Sequence, residues 1–189
     1  MAQTPSTMLA LGTPAPEFNL PEPATERTVS RSDFAGRPLL VAFLCNHCPF
    51  VLHIKSVFAA FAQEYQERGL AVVAINVNDA ARYPADGPEE MAALARSSGF
   101  FFPYLYDESQ SVAHAFRAAC TPDFFLFDRD HTLVYRGRFD GATPGNDEPV
   151  TGMDLRAAVD AVLEETELPQ EQRPSLGCGI KWKPGNEPE

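Results

Sequence analysis

The chain has 189 residues, a usual size for one domain and enough to bury a sizeable core. Hydrophobic residues make up 44% of the chain and charged residues 22%, as is ordinary for globular proteins. The net charge of −11 argues against a nucleic-acid partner, because phosphates need a basic surface.

The first eleven residues contain no Lys or Arg and no long apolar core, so they do not resemble a signal peptide. The longest apolar run is too short to cross a bilayer, and we expect no membrane partner. We therefore expect a cytoplasmic protein, whose thiols are mostly reduced. Four cysteines in such a chain indicate redox or metal chemistry rather than a disulfide scaffold.

The N-terminal part of the chain predicts an irregular lead-in, a hairpin and a buried strand. Residues 1–16 are rich in Pro, Thr and Ala, and we expect residues 1–10 to lie outside the domain. The alternating segments 17–20 and 27–30 predict a hairpin that turns at residues 21–23. The continuous apolar run 39–44 predicts a strand that is buried on both faces.

A βαβ unit follows from this strand. Apolar residues recur at three- and four-residue spacing from about residue 48 to 68, which predicts a helix. Pro49 falls in its first turn and Gly69 ends it. Residues 70–77 predict a second buried strand, and parallel strands joined by a helix imply a right-handed crossover.

The second half of the chain predicts shorter elements and a tail. Its elements are a loop over 78–88, a helix over 89–98, an extended segment over 100–106, a helix over 109–118, a strand pair over 123–127 and 132–136, and a last helix over 153–165. Residues 169–189 are polar and without periodicity, so we expect an irregular tail. The only tryptophan, Trp182, predicts that this tail packs on the domain.

Two thiols, Cys45 and Cys48, stand where the first buried strand ends and the long helix begins. The first N–H groups of a helix have no intrahelical partner, and the helix dipole adds positive potential there. A thiolate at this position is stabilised, so we expect a lowered pKa and nucleophilic character for Cys45. Cys48 lies one turn away and can close a disulfide, so the pair can transfer two electrons.

The order of these elements resembles the thioredoxin-like superfamily. A strand, a C-x-x-C, a helix and a strand are followed by Thr121-Pro122, an antiparallel strand pair and a final helix. Residues 11–20, LGTPAPEFNL, look like the opening of the redoxin branch, which includes alkyl hydroperoxide reductase and thiol-specific antioxidant (peroxiredoxin-like) proteins. The resemblance implies an α/β, thioredoxin-like fold over residues 11–168: a central mixed β-sheet flanked by helices, with an N-terminal β-hairpin extension.

The resemblance also implies roles for the residues of the site. Cys45 would be the exposed attacking thiol and Cys48 the buried resolving thiol. Pro122 would be a cis-proline, and Thr121 would face the disulfide. His47 matches the histidine that precedes the second cysteine in oxidising members, where a cationic ring stabilises the thiolate.

These features predict a thiol-disulfide oxidoreductase that acts on a protein or low-molecular-weight disulfide and is re-reduced by a thioredoxin- or glutathione-type system. We expect no bound cofactor and no metal. One alternative is a thiol peroxidase that reduces hydroperoxides through a sulfenic acid at Cys48. The peroxiredoxin pattern P-x-x-x-T-x-x-C is absent, because Val41 and Cys45 stand at its Pro and Thr positions, but a cysteine at the Thr position is what a dithiol ancestor of the pattern would have. A second alternative is a non-enzymatic metal-binding or metal-delivery module that uses Cys45, His47, Cys48 and His53.

Two further cysteines leave their roles open. Cys120 precedes Thr121, so it is either a buried inert thiol or a third redox thiol that relays from the C-x-x-C. Cys178 lies between two glycines near Trp182. It is either a packing or surface thiol or a redox thiol. As a redox thiol it would pair with Cys120 or act as a resolving thiol outside the Cys45–Cys48 pair.

Overall fold

The computed structural model describes residues 3–188. Its strands are β1 (Gln3–Pro5), β2 (Asn19–Glu22), β3 (Arg27–Ser30), β4 (Leu39–Phe43), β5 (Ala71–Asn76), β6 (Tyr104–Tyr106), β7 (Cys120–Thr121), β8 (Asp123–Phe127), β9 (Leu133–Gly137) and β10 (Leu176–Gly179). Its α-helices are α1 (Pro49–Glu67), α2 (Pro88–Ser98), α3 (Ser111–Phe116) and α4 (Met153–Glu164).

A five-stranded sheet in the order β6-β5-β4-β8-β9 forms the centre of the molecule. Strand β4 runs parallel to β5, and β5 runs parallel to β6. Strand β8 runs antiparallel to both β4 and β9. The sheet is therefore mixed, as the sequence predicts.

Both faces of this sheet are covered, which explains the unbroken apolar sequence of β4. Leu40 and Ala42 belong to one buried cluster with residues of α1, α2 and α4. Leu39, Val41 and Phe43 belong to a second cluster with α3 and the N-terminal segment. Successive strand side chains point to opposite faces, so a strand between two cores needs apolar residues at every position.

The local predictions hold for most elements, with small shifts at their ends. Helix α1 begins at Pro49 with Cys48 as its N-cap, close to the predicted start. The predicted hairpin forms from β2 and β3, but Pro21 and Glu22 belong to β2 and pair with β3 instead of forming the turn. The turn comes later, over residues 23–26.

The two ends of the chain differ from the prediction of irregular structure. The predicted lead-in over 1–10 and tail over 169–189 include residues 1, 2 and 189, which lie outside the described residues. Strands β1, β10 and β7 form a second sheet in the order β1-β10-β7, so parts of both segments are regular. These strands are only two to four residues long, and β1 contains a proline and β10 two glycines, so none of them shows the alternating pattern that predicts a strand. Only their pairing reveals them.

Polar side chains fix the segment after β10 against the domain. Asn78 accepts the backbone N–H of Lys181 at 2.9 Å. Gln110 donates to the carbonyl of Lys181 at 3.0 Å and accepts the N–H of Lys183 at 2.8 Å. The rings of Trp182 and His114 lie 4.5 Å apart between centroids. These contacts hold β10 in a defined position beside β7.

Within residues 3–188, none of the helices combines the length and the apolar character needed to cross a bilayer.

Candidate active site

The C-x-x-C lies at the carboxyl end of β4, where the chain turns into α1. Cys48 is the N-cap residue of α1 and is fully buried. Cys45 is only 1% exposed. The prediction of an exposed Cys45 is therefore wrong. Tertiary contacts cover its sulfur: the hydroxyl of Thr121 lies 3.2 Å from Cys45 Sγ.

Thr121 and Pro122 face the two thiols, as the resemblance implies. The peptide bond between them is cis. The Thr121 hydroxyl contacts Cys45, and its carbonyl oxygen lies 3.1 Å from Cys48 Sγ. One residue of the facing segment therefore touches both sulfurs of the pair.

A third sulfur completes this cluster. Cys178 Sγ lies 2.8 Å from Cys48 Sγ, although 130 residues separate the two cysteines. Cys178 pairs with Thr121 across β10 and β7, and this register brings it to the C-x-x-C. Cys120 lies on the same strand as Thr121, and its sulfur is 3.6 Å from the carbonyl oxygen of Pro122. All four cysteines are free and buried.

Cys48, and not Cys45, has the lowered pKa, which is the reverse of the prediction. The hydrogen bond from the Cys45 thiol lowers the pKa of Cys48 to about 5, although burial acts in the opposite direction. The Cys178 thiol and the backbone N–H groups of Val51 and Cys178 lower this pKa further. The hydrogen bond between Cys45 and Cys48, burial and the charge of Asp86 raise the pKa of Cys45. Cys48 is therefore the more acidic thiol of the pair, because the neighbouring thiols and backbone N–H groups favour its charged form.

His47 lies beside the pair, and its partner is a buried carboxylate. Its Nδ1 is 2.6 Å from Asp86 Oδ2, and its ring stacks on Tyr83 with 5.4 Å between centroids. The side chain of His47 is 29% exposed, whereas that of Asp86 is fully buried. Asp86 therefore orients the imidazole that the sequence placed next to the thiols.

Asp86 also holds the loop between the two cysteines. It accepts the backbone N–H of Asn46 at 2.7 Å and the side-chain amide of Asn78 at 2.8 Å. Tyr104 donates to the side chain of Asn46 at 3.0 Å. Sequence reasoning missed Asp86, which it placed in a plain loop. A signal was present, because β5 runs parallel to the strand that precedes the C-x-x-C and ends at a polar residue, Asn76, with Asn78 just beyond it.

A second buried acid, Asp123, also escaped the sequence analysis. It follows Pro122 directly and is fully buried, and among residues 3–188 neither of its carboxylate oxygens has a well-formed hydrogen bond. Burial raises the pKa of Asp123 to about 7, and the hydroxyls of Ser6 and Ser175 offset part of this effect. The charge of Asp123 in turn contributes, after burial, to raising the pKa of Cys120.

The structure groups only part of the ligand set predicted for a metal. Donor atoms of Cys45, His47 and Asp86 lie within 4.8 Å of one another. Cys48 and His53 are outside this group. The Asp86 carboxylate already accepts three hydrogen bonds, and a closed zinc site needs four protein ligands. The residues that the structure describes therefore offer a weaker metal site than the sequence suggested.

The model of the AhpC/TSA family matches residues 11–136 of the chain, which include the C-x-x-C and Pro122. The chain belongs to the AhpC/TSA family. This member is 28% identical over 167 residues to the thiol:disulfide interchange protein DsbE of Pseudomonas fluorescens biotype C, a match that covers 87% of this chain and 83% of that protein.

Solved structures place this AhpC/TSA protein among thioredoxin-like folds. The thioredoxin domain of a thiol-disulfide oxidoreductase from Bacteroides vulgatus is 17% identical, with a TM-score of 0.57 over 68% of this chain and 88% of that one. An uncharacterized conserved protein from Geobacillus kaustophilus is 48% identical, with a TM-score of 0.96 over 98% of each chain. The likeness to the second protein extends over nearly the whole molecule and therefore includes the tail.

Proposed function

We propose that the protein is a thiol-disulfide oxidoreductase whose Cys45 and Cys48 exchange disulfides with a protein or low-molecular-weight substrate. The observation that carries this proposal is the pair of buried thiols at the N-terminus of α1, both of whose sulfurs contact Thr121. A thiolate is the nucleophile of disulfide exchange, and a second thiol three residues along the chain can resolve the mixed disulfide. The relative from Pseudomonas fluorescens carries the name of a thiol:disulfide interchange protein, which supports the same chemistry.

In the proposed reaction Cys45 meets the substrate. It adjoins Asn46 and His47, which are partly exposed, whereas Cys48 is enclosed by Cys178 and Thr121. The Cys45 proton moves to the Cys48 thiolate, and the Cys45 thiolate attacks one substrate sulfur and releases the other as a thiolate. Cys48 then returns its proton to the released sulfur and attacks Cys45. The second substrate sulfur leaves as a thiolate, and the Cys45–Cys48 disulfide remains.

The test is the substitution Cys45→Ser, assayed by reduction of insulin with dithiothreitol as the source of electrons. We expect its rate to fall to the uncatalysed background, because the sulfur that forms the mixed disulfide with the substrate is lost and Cys48 is enclosed by Cys178 and Thr121. Cys120→Ser is the matched control, since Cys120 is equally buried but lies outside the thiol cluster, and it should retain the wild-type rate. Insulin reduction at the wild-type rate by Cys45→Ser would refute the proposal.

Thiol peroxidase activity is the second candidate, favoured by the pKa of about 5 at Cys48 and by its N-cap position. The Cys48 thiolate would attack one peroxide oxygen, become a sulfenic acid and release an alcohol or water. Cys45 would then condense with the sulfenic acid, lose water and form the disulfide. If the protein is a peroxidase, Cys48→Ser abolishes peroxide consumption, while Cys45→Ser still consumes one equivalent of peroxide per protein molecule. Absence of peroxide consumption in the wild type, with insulin reduction retained, selects disulfide exchange.

The proposal includes a cytoplasmic location and a reductant of the thioredoxin or glutathione type. Either reductant attacks the Cys45–Cys48 disulfide and regenerates the dithiol. The two are distinguished by following re-reduction of the oxidised protein with thioredoxin and its reductase, or with glutathione and its reductase, at equal NADPH.

A further inference from the structure

The cluster of three thiols contains one sulfur more than a dithiol mechanism uses. Cys178 Sγ lies 2.8 Å from Cys48 Sγ, whereas a disulfide bond is about 2.05 Å long. A shift of less than 1 Å in that separation would therefore bring these two sulfurs to bonding distance. Cys48 thus has two potential partners, Cys45 within the C-x-x-C and Cys178 from the tail.

The backbone positions Cys178 for this contact. Cys178 is paired with Thr121, whose carbonyl oxygen also contacts Cys48. The preceding residue, Gly177, lies so close to this segment that an added Cβ would be 2.1 Å from the Thr121 carbonyl oxygen. Glycine therefore allows β10 to approach the site closely enough for its cysteine to reach Cys48.

We propose that Cys178 is a third redox thiol, which can replace Cys45 as the disulfide partner of Cys48. This proposal rests on the proposed function. Cys178 attacks Cys48 Sγ in the Cys45–Cys48 disulfide, so that the Cys48–Cys178 bond forms and the Cys45–Cys48 bond breaks. The proton lost by Cys178 passes to the released Cys45 sulfur. The protein neither gains nor loses electrons, so the step needs no oxidant or reductant.

Formation of the first disulfide removes one electrostatic obstacle to the attack by Cys178. In the reduced protein, burial first and then the hydrogen bond and charge of Cys48 raise the pKa of Cys178 to about 12, while Lys181 lowers it. A disulfide-bonded Cys48 carries no charge, so its contribution to the raised pKa of Cys178 disappears. The released Cys45 lies beside the Asp86 carboxylate, whose charge disfavours a thiolate there and promotes its protonation.

Cys120 does not fill this role. It is paired with Gly179 on β10, one position away from the pair formed by Thr121 and Cys178. Neighbouring residues of a strand point to opposite faces, and the sulfur of Cys120 contacts the Pro122 carbonyl oxygen. The exchange therefore connects Cys45, Cys48 and Cys178 and leaves Cys120 aside.

The test maps disulfides in the full-length protein at equilibrium with glutathione and glutathione disulfide at a series of ratios. Samples are quenched with acid, alkylated, digested and analysed by mass spectrometry. We expect both Cys45–Cys48 and Cys48–Cys178 in the wild type. Their ratio should stay constant while the oxidised fraction changes, because their interconversion consumes no electrons.

Three variants assign the bonds. Cys45→Ser should form Cys48–Cys178 alone, Cys178→Ser should form Cys45–Cys48 alone, and the control Cys120→Ser should show both bonds as in the wild type. The inference would be overturned if Cys178 were found alkylated in every oxidised wild-type sample and if Cys45→Ser formed no Cys48–Cys178 bond. That result would leave the proposed function intact. Absence of Cys45–Cys48 from both the wild type and Cys178→Ser would instead overturn the proposed function.

Discussion

At the scale of single residues, Cys48 shows how neighbours decide which of two thiols is ionised. Both cysteines of the pair are buried, so desolvation opposes a charge on either one. Cys48 gains the thiol of Cys45, the thiol of Cys178 and two backbone N–H groups as donors. Cys45 instead has the negative charge of Asp86 nearby. The thiolate is therefore stabilised at the N-cap of α1.

We expect the ultraviolet absorbance of thiolate in the reduced wild type to rise with a midpoint near pH 5. Cys45→Ala should shift this midpoint to higher pH, because the largest stabilising hydrogen bond to Cys48 is lost. Cys45→Ser should stay closer to the wild type, since its hydroxyl can still donate. A low midpoint that persists in Cys48→Ala would show that Cys45 carries the charge.

At the scale of elements, the short strand β10 contributes directly to the thiol cluster. Its four residues pair with both β1 and β7 and bring the third sulfur into contact with Cys48. The side chains of Asn78 and Gln110 fix the chain that follows it. A segment predicted to be irregular is therefore part of the candidate active site, because pairing with distant strands gives it structure.

Gly177→Ala tests the close approach of β10. The added methyl group would meet the backbone of Thr121 at 2.1 Å, so β10 must move away from Cys48. We expect a loss of about 1–3 kcal/mol in the free energy of unfolding, measured with urea, together with loss of the Cys48–Cys178 bond.

Gly179→Ala is the matched control on the same strand, because its new methyl group would meet only the Thr4 side chain, at 3.1 Å. It should have a smaller effect on stability and should retain the bond. Equal effects of the two substitutions would show that the contact at Gly177 is not specific.

At the scale of the whole molecule, the sheet separates two apolar cores, and the thiols belong to one of them. Cys45, Cys48 and Cys178 lie in the cluster that α1 and α4 cover. The C-x-x-C is thus held by a packed core rather than by a mobile surface loop. A buried core also makes each charge costly, and Asp123 is the clearest case.

Asp123 makes the stability of the reduced protein depend on pH. Burial raises its pKa from 3.8 to about 7, so the folded state holds a proton that the unfolded state has lost between these values. Its contribution to stability is therefore complete below about pH 4 and is lost as the pH rises to about 7. The difference amounts to about 4 kcal/mol.

Asp123→Asn should remove this dependence, because an amide does not titrate in this range. The measurement is urea unfolding of both proteins in reducing buffer between pH 4 and pH 7, with the wild type losing stability relative to the variant as the pH rises. A difference between the two proteins that stays constant over this interval would contradict the assignment.

Much of this protein follows from the sequence alone, because the signals are local. The continuous apolar run at 39–44, the helical spacing after Pro49 and the C-x-x-C between them fix the βαβ unit and the pair of Cys45 and Cys48. The order of the remaining elements further indicates the thioredoxin-like fold and the position of Pro122. Each of these features depends on residues that are neighbours in the chain or follow one another as elements.

The tertiary structure alone decides the chemistry around the pair. Asp86 and Cys178 reach the C-x-x-C across 39 and 130 residues, through a polar loop and a short strand without periodicity. Their contacts, and not the helix end alone, place the thiolate on Cys48 and add a third sulfur to the site. No local pattern records such contacts, because hydrogen bonding and desolvation depend on distances in space rather than on spacing along the chain.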